Sequence, residues 1–165
     1  MTEYALTLST GRPAAEVFAL VREQERFPEV AGDIISVEAA EADVHRYVLA
    51  FRDGVARWTQ ATETGPLRLR FDQTDGDFVS FGGSWEFADA PGGSTVTYRV
   101  TFRTSVPQLA GAIDPMVGRV LLRAAVEVVT GLTGPVEILD GERALRSQLG
   151  QAGAAANIRA RRTGD

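Results

Sequence analysis

The sequence predicts an α+β domain in which a curved antiparallel sheet of six to seven strands wraps one long helix near the C-terminus and leaves an internal cavity. Three observations carry this expectation. Gly76 to Phe87 and Gly92 to Phe102 read as two long strands joined by a Pro91-Gly92-Gly93 turn. Val96, Tyr98, Val100 and Phe102 alternate onto one face, and Trp85 and Phe87 continue that face across the turn. One long helix, Pro115 to about Thr130, offers the stripe Val117, Val120, Leu121, Ala124 and Val128 to cover it.

The other elements follow in order. Tyr4, Leu6 and Leu8 alternate, which predicts a strand from about Glu3 to Ser9. Pro13 suits the first position of a helix whose stripe is Ala14, Val17, Phe18 and Val21. Phe27-Pro28 stops that helix, and Pro28-Glu29-Val30 starts a second short turn. A weaker strand runs from Asp33 to Ala39, with Ile35 and Val37 inward. Arg46 to Phe51 and Ala56 to Thr62 form a hairpin around Asp53-Gly54, a strong two-residue turn signal. After Gly65-Pro66, Leu67, Leu69 and Phe71 alternate with Arg68, Arg70 and Asp72, the pattern of a half-buried strand. Asp114 is the expected cap of the long helix and Gly131 its end. Pro135 to Leu149 reads as an amphipathic helix interrupted by Gly141. The expected organisation is one domain over residues 1–149 and a flexible tail, Gly150 to Asp165, with few apolar residues.

Composition narrows the function. The chain has 165 residues, of which 44% are hydrophobic, as expected of a single globular domain. A net charge of −5 argues against a nucleic-acid partner, because phosphates are neutralised by a basic face. There is no cysteine and a single histidine, His45, so thiolate and multi-histidine metal sites are excluded. No apolar run reaches the ~20 residues that span a bilayer. Met1 to Leu8 lack a secretory pattern, so a cytoplasmic protein is expected. No cofactor is implied, and oligomeric state is not readable.

The hairpin predicts which residues face inward. With Asp53-Gly54 as the loop, Leu49 opposes Trp58 and Tyr47 opposes Gln60, and opposed residues share a face. That face, with Phe51, is the more apolar one and is expected inside. A three-residue loop would flip the register and turn Arg57 and Thr59 inward instead. Tyr98 and Gln60 then stand as polar groups within apolar faces, where each needs a partner. A ligand oxygen supplies one; plain core packing is the alternative. Gln73 has the same character. His45 sits at a strand start near Asp43 and reads as a solvated edge residue rather than a base. The expected ligand-contacting residues are Phe27, Tyr47, Leu49, Trp58, Thr59, Gln73, Phe78, Trp85, Val117 and Leu121. Tyr98, Gln60 and Arg57 are the candidates for catalysis.

Three stretches carry a family resemblance: Ala14 to Val21 with Glu25-Arg26-Phe27-Pro28-Glu29-Val30; Gly76-Asp77-Phe78 leading to Gly83-Ser84-Trp85-Glu86-Phe87; and Gly92 to Tyr98 with the terminal helix. Together, over roughly residues 3–132, the chain resembles the START/Bet v 1-like superfamily in its polyketide cyclase/dehydratase (aromatase/cyclase) branch. The resemblance implies the helix-grip fold and a hydrophobic polyketide-like ligand. Known aromatase/cyclases carry an inward Ser and a catalytic Arg on the strand after the hairpin. Here Thr59 stands near the Ser position and Ala61 stands where the Arg would be. The catalytic assignment is therefore not carried over.

The expected function is a cofactor-free cyclase that folds a polyketide-like chain in its cavity and assists aldol cyclisation or dehydration, largely by positioning. The rival is a non-catalytic carrier of a lipid, quinone or polyketide, which the missing Arg favours. A third reading is a tightly packed domain without a real cavity. Arg159, Arg161 and Arg162 are a candidate contact for an acidic acyl carrier protein, although a solubilising tail is the simpler explanation.

Overall fold

The computed structural model describes residues 2–51, 54–104 and 110–145. Its elements are β1 (Thr2–Thr10), α1 (Ala14–Val21), a 3-10 turn (Gln24–Arg26), α2 (Phe27–Val30), β2 (Ile34–Glu41), β3 (Val44–Phe51), β4 (Gly54–Gly65), β5 (Arg68–Gly76), β6 (Ser80–Ala90), β7 (Gly93–Arg103), α3 (Ala110–Thr133) and β8 (Val136–Asp140). The strands form one sheet in the order β2-β3-β4-β5-β6-β7-β1-β8. Every pairing is antiparallel. The sheet curves around α3, as the helix-grip arrangement requires. The 150–165 tail lies outside the described residues.

The alternating residues read from the sequence are the core. Leu6, Leu8, Val96, Tyr98, Val100 and Phe102 are buried from β1 and β7. Trp85 and Phe87 of β6 lie beside them, with Trp85 opposite Tyr98 and Phe87 opposite Val96. Pro91 and Gly92 make the β6–β7 turn, and Gly92 has a φ of 84° that only glycine adopts without strain. Asp89 at the end of β6 accepts a hydrogen bond from the Ala14 N–H at 2.9 Å and so caps α1 from the sheet. On the other side of the core, Asp33 accepts from Arg123 Nε and Nη2 at 3.0 and 2.6 Å, which ties the loop after α2 to α3.

Five expectations are corrected. The sheet has eight strands, because Val136–Asp140 extends the edge beside β1 instead of continuing as a helix. Within the expected 135–149 helix, only 142–145 is helical among the described residues. The long helix begins at Ala110, five residues before Pro115, so Asp114 and Pro115 lie inside it. It ends at Thr133, not Gly131, because Gly134 with a φ of 106° makes the left-handed stop and returns its N–H to the Thr130 carbonyl. In β2 a bulge between Ile34 and Ser36 shifts the alternation, so Ile34 and Val37 are buried while Ile35 is 53% exposed.

The β3–β4 hairpin pairs Phe51 with Gly54, Leu49 with Ala56 and Tyr47 with Trp58. Gly54 is therefore a paired residue of β4, not part of the turn. The pairing moves by two residues, which leaves every side chain on its expected face. Tyr47, Leu49, Trp58 and Gln60 point inward and are buried. Phe51 is only half-buried, at the end of β3 beside the turn.

Candidate functional site

A void lies between the sheet and α3. Its sheet wall consists of Tyr47 and Leu49 from β3, Trp58 and Gln60 from β4, Phe71 from β5, Phe81 and Trp85 from β6 and Tyr98 from β7. Phe27 of α2 and Ile34 of β2 close one side, and Leu121, Ala124, Ala125 and Val128 of α3 close the other. The helix contributes small residues where the sheet contributes rings, so the aromatic layer has room to lie flat. Gly83 serves the same purpose within the sheet. It stands opposite Phe71, whose ring occupies the space that a Cβ on Gly83 would fill.

The volume corrects the expectation of a ligand-sized cavity. The void measures about 40 Å³. Ligand pockets enclose ~300–1,000 Å³, and one water needs ~10–15 Å³, so this space holds a few waters. The cause is ring packing. Trp58 lies 4.7 Å from Phe81 and 5.1 Å, stacked, from Tyr47. Trp85 lies 4.7 Å from Tyr98 and 6.4 Å from Phe27. The side chains interdigitate across the space in which a ligand would sit.

One side of the lining carries a chain of polar groups. The Tyr47 hydroxyl donates to Gln24 Oε1 at 2.5 Å. Gln60 Nε2 donates to the same oxygen at 3.4 Å, while Gln60 Oε1 accepts from Trp58 Nε1 at 2.8 Å. Gln24 Nε2 donates onward to Thr62 Oγ1 at 3.0 Å. This network satisfies polar groups that would otherwise be costly to bury, and it clamps the turn before α2 against β3 and β4. Tyr98 differs. It packs against Phe71 and Trp85 and lines the void, yet its hydroxyl makes no hydrogen bond among the described residues.

Burial pushes the Tyr98 phenol well above its ordinary value of 10.0. Burial pushes the Tyr47 phenol up too, reinforced by the nearby Tyr98 and Glu25. Both tyrosines therefore stay neutral and act as donors. No charged side chain lines the void. Among the described residues no group of three His, Asp or Glu stands as a metal site, and no helix is long and apolar enough to cross a membrane.

The structure brings together most of the predicted residues: Phe27, Tyr47, Leu49, Trp58, Gln60, Trp85, Tyr98 and Leu121 all line the void. Five others do not. Arg57 is exposed on the outer face of β4, where its backbone N–H donates to Asp77. Thr59 shares that face. Gln73 uses both ends of its amide on the backbone of Phe78 and so fastens the β5–β6 connection. Phe78 is buried against Trp58, Phe81 and Phe102 without reaching the void. Val117 is buried but lies a turn of α3 before the lining begins at Leu121. Ile34, Phe71, Phe81, Ala124, Ala125 and Val128 line the void and are not among the expected contact residues. Phe71 and Phe81 both alternate correctly, and that signal was available. Gln24 was missed because its burial depends on strands that lie far from it in sequence.

The comparisons agree with this architecture. A protein of Thermus thermophilus, TTHA0849, superposes with a TM-score of 0.70 at 23% identity, covering 88% of this chain and 99% of its own. A START superfamily protein from Mycobacterium smegmatis superposes with a TM-score of 0.68 at 12% identity, covering 79% and 96%. The Zhui aromatase/cyclase from Streptomyces sp. R1128 gives 0.60 at 14% identity, covering 79% and 92%. Identities this low show a shared fold. No curated protein matches the sequence significantly. Residues 10–129 match the model of one family, described as polyketide cyclase / dehydrase and lipid transport. That match spans most of the domain, from the end of β1 through α3, and the chain belongs to this family.

Proposed function

We propose that the protein takes up a hydrophobic, polyketone-like molecule between the sheet and α3 and assists its cyclisation or dehydration without a cofactor. One observation carries this reading: the Tyr98 hydroxyl, a neutral donor that lines the void with no partner among the described residues. The hydroxyl has no protein acceptor among the described residues, and a ligand carbonyl in the void can accept from it. In an aldol step the same hydroxyl donates to the oxygen on which negative charge develops. The aromatic walls hold the chain in a reactive fold. Family membership and the aromatase/cyclase neighbour support the same chemistry.

The void of about 40 Å³ is the closed form in this reading, so uptake must part the rings. The wall that moves is Gln24–Val30. It joins the body through side-chain hydrogen bonds, Phe27 and Val30, which packs on α3 at Gly131, and not through sheet pairing.

A second reading, a carrier without catalysis, is favoured by the wholly uncharged lining and by Ala61 on the outer face. One experiment separates the two. A synthetic poly-β-ketone thioester is incubated with protein and with buffer, and cyclised product is measured over time. The enzyme reading expects acceleration over buffer and a ~10²-fold loss in Tyr98→Phe, the scale of one general-acid contribution. Binding, seen as tryptophan quenching, with no acceleration supports the carrier and refutes the enzyme.

A further inference from the structure

The sequence places His45 at a solvated edge, and the structure buries it. It is the second residue of β3, on the inward face with Tyr47 and Leu49, and is 8% exposed. Its cross-strand partner is Gln60, which lines the void. The 3-10 turn that carries Gln24 also carries Glu25, and His45 Nε2 stands 3.5 Å from Glu25 Oε1. The other ring nitrogen, Nδ1, is buried and has no hydrogen-bond partner among the described residues.

The chemistry of the pair sets the tautomer. An ionised carboxylate only accepts, so the nitrogen facing Glu25 carries the proton. When the ring carries that one proton, Nδ1 is a bare acceptor. Around it the polar groups are already engaged: Gln24 with Tyr47, Gln60 and Thr62, and Gln60 with Trp58. Buried polar atoms without partners are few in native proteins, and each asks for an explanation. This one is an acceptor without a donor. On β7, Tyr98 lines the void as a donor without an acceptor among the described residues.

We infer that the ligand is bifunctional: it presents an enol or phenol O–H to His45 Nδ1 and a carbonyl oxygen to the Tyr98 hydroxyl, with Glu25 holding the imidazole in the accepting tautomer. The inference rests on the reading that the void opens to bind a polyketone. It adds a specificity. Enolised β-diketones and phenolic ketones fit, whereas fatty acyl chains, which carry no hydroxyl to donate, do not.

The test uses two probes of the same shape, 2-acetyl-6-hydroxynaphthalene and its O-methyl ether, titrated into the full chain by tryptophan quenching. The expected preference for the hydroxyl probe is ~10-fold, the worth of about one buried hydrogen bond. His45→Gln keeps a donor toward Glu25 but places no acceptor at Nδ1, and should erase the preference. His45→Asn keeps an oxygen near the Nδ1 position and should retain most of it. Circular dichroism reports whether each variant folds. Equal binding of both probes by the wild type overturns the His45 inference and leaves the cavity reading standing, whether or not the variants fold. A preference that persists in His45→Gln also overturns it. If neither probe binds, the cavity reading fails and the inference fails with it.

Discussion

Tyr47 and Tyr98 are two buried tyrosines on the same void whose hydroxyls should behave oppositely on removal. Tyr47→Phe deletes the donor to Gln24 Oε1, leaving that oxygen with only the 3.4 Å contact from Gln60. The loss combines one hydrogen bond with a partly unsatisfied acceptor, about 1–2 kcal/mol. In a domain of this size, 1 kcal/mol moves Tm by roughly 2–4 °C, so Tyr47→Phe should melt about 2–8 °C lower. Tyr98→Phe removes a hydroxyl that has no protein partner among the described residues, so no bond is lost and a buried polar group disappears. Its Tm should stay within about 1 °C of wild type or rise. Ring packing is preserved in both, which isolates the hydroxyl. Differential scanning calorimetry at neutral pH, without ligand, reads both. A drop for Tyr98→Phe as large as that for Tyr47→Phe refutes the reasoning, because it means that the hydroxyl is bonded within the folded protein and is not free for a ligand.

Both phenols are raised above 10.0 on folding, so their neutral burial contributes stability that is fully present below pH 10 and is lost as pH rises through the folded values. A urea series from pH 8 to 11 should show stability falling above pH 10, with Tyr98→Phe reducing that slope by up to ~1.4 kcal/mol per pH unit. An unchanged slope refutes burial of Tyr98 as its cause. Arg57→Ala should leave probe binding and any turnover within about twofold of wild type, because Arg57 lies on the outer face; a tenfold loss would place Arg57 in the site and overturn the hairpin register. Gly83→Ala pushes a Cβ to 2.1 Å from the Arg99 carbonyl oxygen and 2.7 Å from the Phe71 ring. Because the backbone contact yields little, a loss of about 2–3 kcal/mol is expected, read as a Tm roughly 4–10 °C lower.

Local chemistry was enough to read much of this protein. The period-two pattern of β1, β5 and β7 exposes its own buried face, because side chains alternate whatever the sheet does next. Pro91-Gly92 states its turn through backbone preference alone. The inward face of the hairpin also followed from the sequence, since Tyr47, Leu49, Trp58 and Gln60 form the more apolar of its two faces. Contacts between distant segments decided the rest. Val136–Asp140 is extended because the free edge of β1 accepts its hydrogen bonds; its own residues suit a helix equally well. The bulge in β2 and the run of α3 back to Ala110 are likewise choices of the assembled sheet and helix. So is the size of the void, which depends on how closely rings from five strands and α2 meet over the small residues of α3. The burial of His45 has the same origin. Its phase with Tyr47 and Leu49 puts it on the inward face, but at the start of the strand the local sequence does not say what covers it. Its cover is a turn twenty residues earlier in the chain, at Glu25, and only the folded chain brings the two within 3.5 Å.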